Sequence, residues 1–117
     1  MPPVSELVLA ITRIHGVAGR RDELRALMQT TEQAVVQEPG CRSYRFTAAL
    51  ADPDEYLNVQ EWTSEDAWQA HQHSPAFREY QYAVFDLLAR PSEMEVHRGA
   101  QVTLPAPSDP PDPRALD

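Results

Sequence analysis

Alternating apolar and polar positions predict β-strands in this chain. Four such stretches cover residues 6–14, 42–50, 56–62 and 93–98. A short fifth strand is predicted at 102–104. The turn sequence Asp52-Pro53-Asp54 separates the second strand from the third, so we expect these two strands to form a hairpin.

The first strand is apolar on both of its faces. One alternating set contains Leu7, Leu9 and Ile11, and the other contains Val8, Ala10 and Ile14. A strand with this composition needs cover on both sides of its sheet.

Two helices are predicted where the spacing of apolar residues changes from alternation to a helical repeat. From Arg20 the apolar stripe is i, i+3 and i+4, and Pro39-Gly40 ends this helix. The second helix begins at Thr63-Ser64-Glu65-Asp66, a capping-box pattern, and Ser74-Pro75 restarts or bends it. Pro91 closes it before the fourth strand.

The order β-α-β-β-α-β predicts an α+β, ferredoxin-like split βαβ fold with a four-stranded antiparallel sheet. Its two helices cover one face of the sheet only. A second copy of the chain is the simplest cover for the other face, so we expect a homodimer.

Composition limits the partners of this 117-residue, single-domain chain. Asp and Glu number 18 against 10 Lys and Arg, and the net charge is −8. This balance disfavours nucleic acid, whose phosphates attract basic surfaces. The longest apolar run, residues 7–11, is far short of the roughly 20 residues that span a membrane. The single cysteine, Cys41, fits a reducing compartment, and we expect a cytoplasmic protein.

Both ends of the chain are predicted to be tails. Five prolines lie between residues 105 and 113, and each removes a backbone donor. We therefore predict an N-terminal tail at 1–5, one domain at 6–104 and a disordered Pro/Asp-rich tail at 105–117.

A series of short motifs follows the first helix in a characteristic order: Glu38-Pro39-Gly40-Cys41, Ser43-Tyr44, Glu61-Trp62-Thr63-Ser64, and then Ala67, His71, Ser74 and Phe77. In this order they resemble the antibiotic biosynthesis monooxygenase family. The resemblance implies a dimeric α/β barrel, in which two sheets pack face to face. That family includes cofactor-independent oxygenases that turn anthrones or hydroquinones into quinones, a haem-degrading branch and sugar-phosphate isomerases.

The resemblance also implies site residues. Asn58 and Trp62 share one face of the third strand and look like the pair that lines the pocket of anthrone oxygenases. Trp68 falls where those enzymes carry a Tyr, whereas Thr47 and Gln81 replace their His and Arg. Gln81 also falls at the haem-ligating His of the haem-degrading branch, and an amide cannot replace an axial imidazole.

His71 is the candidate catalytic base, because a neutral imidazole accepts a proton near pH 7. The alternative is a helix-end residue that bonds to nearby carbonyls. Asn58 is expected to hydrogen-bond an oxyanion or peroxide in a pocket that Trp62 also lines. The alternative is that Asn58 is a core amide hydrogen-bonded within the protein, and that Trp62 is a core aromatic that only packs. The expected substrate-binding side chains are Trp68, Tyr44, Phe77 and Tyr80.

No metal or cofactor is expected. His71 and His73 are two residues apart and lie on different faces of a helix, so they chelate poorly. The four glycines form no phosphate-binding loop. Cys41 has little to activate it and is expected to be structural.

Together these features predict a cofactor-independent monooxygenase that uses O2 to oxidise a small phenolic, hydroquinone or anthrone-type aromatic to a quinone. Two alternatives remain open. The same pocket could catalyse proton transfer alone, as an isomerase or cyclase, or the chain could be a non-catalytic ligand-binding or dimerisation module.

Overall fold

A computed structural model describes residues 6–104. The predicted tails at 1–5 and 105–117 lie outside these residues. The elements are β1 (Leu7–His15), α1 (Arg21–Val35), β2 (Cys41–Ala48), β3 (Glu55–Trp62), α2 (Glu65–Gln72), α3 (Pro75–Val84), a 3₁₀ turn (Phe85–Leu87) and β4 (Glu93–Gly99). None of the helices in this part of the chain combines the length and apolarity needed to cross a membrane.

The four strands form one antiparallel sheet in the order β2-β3-β1-β4. The predicted α+β ferredoxin-like fold is confirmed, as is the hairpin of β2 and β3. Residues 102–104 are not in a strand, so the predicted fifth strand is wrong for the single chain. They follow β4 at the edge of the sheet, where the described chain offers no further strand to pair with.

The helices begin where side chains can cap them. Ser64 accepts a hydrogen bond from the backbone N–H of Ala67 at the start of α2. Ser74 does the same for Phe77 at the start of α3, with Pro75 at the first helical position. The predicted restart at Ser74-Pro75 is therefore a real break between two helices.

One face of the sheet packs against the helices. β1 contributes Val8, Ala10 and Ile14 to this buried face. β3 contributes four consecutive alternating residues, of which two are amides: Tyr56, Asn58, Gln60 and Trp62. The site is built on the helix-facing side of β3.

The other face of the sheet carries an apolar stripe along its centre. Its side chains are half-buried in the single chain, and they come from β1 and β3: Leu7, Leu9, Ile11, Leu57 and Val59. Register places Ile11 opposite Val59 and Leu9 opposite Glu61. The expectation that a second copy covers this stripe remains a prediction.

The turn after α1 brings the chain close to α2. Gly40 has a φ of +78°, and a Cβ there would press on the Cβ of Ala67 and lie 3.0 Å from Oγ1 of Thr63. Glycine thus satisfies a backbone and a packing requirement together. This close approach holds the end of α1 beside α2.

We predict that Gly40→Ala destabilises the fold more than Gly19→Ala does. Gly19 also has a positive φ, +87°, but a Cβ there would meet no described atom within 4 Å. Gly19→Ala should cost about 1–2 kcal/mol from backbone strain, and Gly40→Ala a further 1–3 kcal/mol or so from overpacking. Urea unfolding measures both. Equal losses would show that the contact with α2 contributes nothing.

Candidate active site

His71 lies near the end of α2 and is almost completely buried, with 1% of its surface exposed. Its ring is stacked on that of Trp62, with 4.8 Å between centroids. Phe77 lies at 4.8 Å and Tyr44 at 5.4 Å. The predicted base is therefore enclosed by three of the predicted pocket residues.

The imidazole has one polar partner in the described part of the chain. Nδ1 of His71 lies 3.0 Å from Oε1 of Glu38, which follows the end of α1. Nε2 of His71 and Oε2 of Glu38 are buried, and neither has a hydrogen-bond partner within residues 6–104. A buried polar atom without a partner costs free energy, which a ligand can recover by binding to it.

Burial lowers the pKa of His71 below its usual 6.5, and the Glu38 carboxylate partly opposes this effect. The imidazole is therefore neutral near pH 7. A neutral ring carries one N–H, and the carboxylate can only accept, so Nδ1 donates to Glu38. Nε2 is then left with a free lone pair, which is the requirement for a base.

The buried amides of β3 form a chain of hydrogen bonds. Nε1 of Trp62 donates to Oε1 of Gln60 at 2.8 Å, and Nε2 of Gln60 donates to Oδ1 of Asn58 at 2.8 Å. Nδ2 of Asn58 donates to the backbone oxygen of Arg45 at 3.2 Å. The single indole N–H of Trp62 is thus committed to Gln60, while the amide nitrogen of Asn58 has a second N–H.

Aromatic rings extend the surroundings of His71. Phe46 lies 5.6 Å from both Tyr44 and Tyr80, and Phe77 lies 6.4 Å from Tyr80, as measured between centroids. Burial raises the pKa of the Tyr44 and Tyr80 hydroxyls well above the usual value of 10, so both remain protonated donors. These rings form an apolar wall beside the imidazole.

Trp68 occupies a different position from the other predicted pocket residues. It packs in the same cluster as Trp62, but its ring is covered from outside by the Arg98 guanidinium, 5.6 Å from its centroid. Glu65 fixes that Arg98 through two hydrogen bonds of 2.6 and 2.8 Å. No aromatic contact between Trp68 and His71 occurs within the described residues.

A groove of about 460 Å³ lies on the outer side of the His71–Glu38 pair. Its lining includes both residues, together with Gly40, Thr63 and Asp66.

Nearby, burial raises the pKa of the Cys41 thiol to about 11, with a contribution from the charge of Glu38. Cys41 is therefore a thiol near neutral pH and not a nucleophile. Within residues 6–104, no three His, Cys, Asp or Glu side chains gather as metal ligands would.

The sequence interpretation missed three residues of this site. Gln60 was detectable, since it alternates with Asn58 and Trp62 on the buried face of a strand. Phe46 is recognisable only as an apolar strand residue. Glu38 stands in one of the family motifs, but its contact with His71 gives no local signal, because the two residues are 33 positions apart.

Comparison with known proteins supports the fold and the family. The antibiotic biosynthesis monooxygenase family matches this chain at residues 7–83. An uncharacterized protein from Synechocystis sp. is 32% identical to this chain over 82 residues, which are 70% of this chain and 56% of that protein. The chain thus matches little more than half the length of this relative.

Solved structures share the architecture. The protein Rv0793 from Mycobacterium tuberculosis is 28% identical, with a TM-score of 0.72 over 87% of this chain and 99% of its own. A Deinococcus radiodurans protein has a TM-score of 0.79 at 21% identity, and the match covers 86% of this chain and 99% of that protein. A mutant of SnoaB, a cofactor-independent oxygenase from Streptomyces nogalater, has a TM-score of 0.73 at 22% identity. This match covers 86% of this chain and 98% of that protein. The match over residues 7–83, on the fold that these structures share, shows that the chain belongs to the antibiotic biosynthesis monooxygenase family.

Proposed function

We propose that this chain is a cofactor-independent monooxygenase that oxidises a phenolic, hydroquinone or anthrone-type aromatic to a quinone. One observation carries the proposal: Nε2 of His71 is buried among aromatic rings, and it has no hydrogen-bond donor within the described chain. A phenol or enol satisfies both conditions, because its O–H donates to Nε2 and its ring packs on aromatic side chains. Family membership and the oxygenase among the structural neighbours agree with this reaction class.

The chemistry resides mainly in the substrate. Nε2 of His71 accepts the proton of the substrate O–H. The resulting electron-rich substrate anion transfers one electron to O2. The two radicals combine into a peroxide on the reacting carbon. His71 then returns its proton from Nε2 to the outer oxygen of the peroxide. Loss of water leaves one oxygen atom as the new carbonyl and carries away the other with two hydrogens, which are the returned proton and the hydrogen of the reacting carbon. The substrate must therefore carry a C–H at that carbon. This balance requires no external reductant.

The protein contributes orientation, low polarity and hydrogen bonds. Tyr44, Phe77 and Tyr80 are proposed to hold the aromatic substrate against His71, and Trp68 to support Trp62 from behind. Asn58 is proposed to stabilise the oxyanion or peroxide through the second N–H of its amide. Trp62 acts as the platform on which the imidazole stacks, because its N–H is already bonded to Gln60.

Oxidation of hydroquinones or anthrones under air tests this function directly. We expect quinone absorbance and O2 uptake in equal molar amounts, both unaffected by EDTA, and both lost in a folded His71→Gln variant. Proton exchange or isomerisation without O2 uptake would favour the isomerase alternative. Binding without any turnover would leave only a ligand-binding module.

The pH profile should follow the protonation of His71. The neutral form is the base, and burial lowers its pKa below 6.5. Activity should therefore be on a plateau at neutral pH and fall only at pH values below 6.5, as the imidazole takes up a proton. Measurement of kcat/KM between pH 4.5 and pH 8, with a substrate that titrates near pH 10, checks this expectation. An inflection above 6.5 would contradict the assignment.

Asn58→Ala should act on both stability and rate. Loss of the side chain leaves Nε2 of Gln60 without its acceptor and removes the bond to the Arg45 carbonyl, at a cost of about 1–3 kcal/mol in unfolding free energy. If the amide also stabilises negative charge, kcat per folded molecule should fall by roughly 10²- to 10³-fold. Gln60→Leu is the matched control, since it breaks the same chain but keeps Asn58. Equal kcat values for the two variants would reduce Asn58 to a structural amide.

We further propose that the apolar stripe on the open face of the sheet is covered by a second copy of the chain. Burial of Leu7, Leu9, Ile11, Leu57 and Val59 in the dimer recovers about 25 cal/mol for each Å² removed from water. Ile11→Glu, at the centre of the stripe, should convert a dimer to a monomer in sedimentation at micromolar concentration. Gln29→Glu, on the exposed side of α1, should leave it dimeric. A wild-type monomer would refute this proposal.

A further inference from the structure

Glu38 supplies the only polar contact of the His71 ring within residues 6–104. The carboxylate lies 3.0 Å from Nδ1, and Nε2 has no partner. The Glu38 side chain is only 17% exposed, so water competes weakly for this contact. Its backbone is also fixed: the N–H of Glu38 donates to Val35 at 2.9 Å, and its carbonyl accepts from Cys41 at 3.1 Å.

A carboxylate in this position selects the tautomer of the imidazole. An ionised carboxylate accepts but does not donate, so the proton of the neutral ring must be on Nδ1. The alternative tautomer would place two acceptors 3.0 Å apart and would leave Nε2 with a proton instead of a lone pair. A His71 ring of that kind could not act as a base at Nε2.

We propose that Glu38 is a positioning residue, which holds the Nδ1–H tautomer of His71 and balances the positive charge that the ring acquires when Nε2 takes a proton. The consequence of this role for catalysis rests on the proposed function. The tautomer itself does not, so it can be tested without a substrate.

Other titratable groups near the pair do not supply this charge. Burial raises the pKa of Cys41 and Tyr44 on β2 and of Tyr80 on α3, so all three are neutral near pH 7. On α2, Asp66 lines the same groove but makes no hydrogen bond or ion pair with His71 within the described chain. Asp66→Asn is therefore a control that removes one carboxylate from the groove without touching the imidazole.

The first test is ¹⁵N NMR of histidine-labelled protein, with His71 assigned from the spectrum of His71→Gln. At pH 7.5 we expect a protonated Nδ1 and an unprotonated Nε2. Glu38→Gln should lower the pKa of His71 by about one unit or more, because it removes a negative charge at hydrogen-bond distance, while Asp66→Asn should change it much less. A wild-type ring protonated on Nε2, or equal pKa values in Glu38→Gln and wild type, would overturn the proposal.

The second test uses the groove. Glu38→Ala should lose the Nδ1–H preference, and sodium formate, a carboxylate small enough to enter the space left, should restore it where sodium chloride does not. Thermal unfolding identifies a variant that has lost its fold, in which case Glu38→Gln decides alone. In a folded Glu38→Ala, an unchanged tautomer without formate would overturn the role of the carboxylate.

The third test connects the role to turnover. For a substrate that the wild type oxidises, Glu38→Gln should lower kcat by roughly 10²-fold or more with little change in KM, whereas Asp66→Asn should retain wild-type kcat. A change confined to KM would overturn the positioning role. If the wild type oxidises no aromatic substrate, the proposed function fails, and the two spectroscopic tests still decide the role of Glu38.

Discussion

A buried polar side chain needs a partner for each of its polar atoms, and within residues 6–104 His71 has one for only one of its two ring nitrogens. The rest of the site is arranged around this imbalance. Glu38 satisfies Nδ1 from the end of α1, and aromatic rings from β2, β3 and α3 exclude water from the remaining nitrogen. The fold thus maintains a neutral, buried imidazole whose Nε2 has no hydrogen-bond partner within residues 6–104, which is an unfavourable state without a ligand.

The core is divided in a way that tolerates this cost. One cluster lies at the α3 and 3₁₀-turn end of the sheet and consists of Ile14, Leu24, Met28, Tyr56, Val84 and Leu87. Its one polar group is the Tyr56 hydroxyl, which accepts a hydrogen bond from Arg25. The other cluster, around Trp62 and Tyr44, adjoins the buried amides and His71. Burial of the first cluster stabilises the fold, so the second can retain polar atoms without partners.

Most of the fold was predictable from sequence because it depends on local periodicity. The two-residue alternation of β1 and the capping serines at Ser64 and Ser74 are local signals, and each corresponds to an element that begins where expected. The predicted strand at 102–104 fails because alternation cannot show whether a partner strand is present. Pairing is a property of the sheet and not of the segment.

The site was predictable only in part, for the same reason. Three of the predicted site residues, Trp62, Tyr44 and Phe77, lie around the ring of the predicted base His71. Glu38 was not predicted as a site residue, because its contact with His71 joins two elements that are distant in sequence. Alternation places Asn58, Gln60 and Trp62 on one face of β3, but it does not show that the three side chains bond to one another in a chain.

In the proposed reaction, His71 initiates an oxidation by O2 that needs no other reactant. Its most direct test is isotopic labelling of the quinone formed under ¹⁸O2 in ordinary water. We expect one ¹⁸O atom in the new carbonyl of the product and one in the water released, with no labelled product from a folded His71→Gln variant. An unlabelled quinone, or a labelled one formed equally fast without His71, would contradict it.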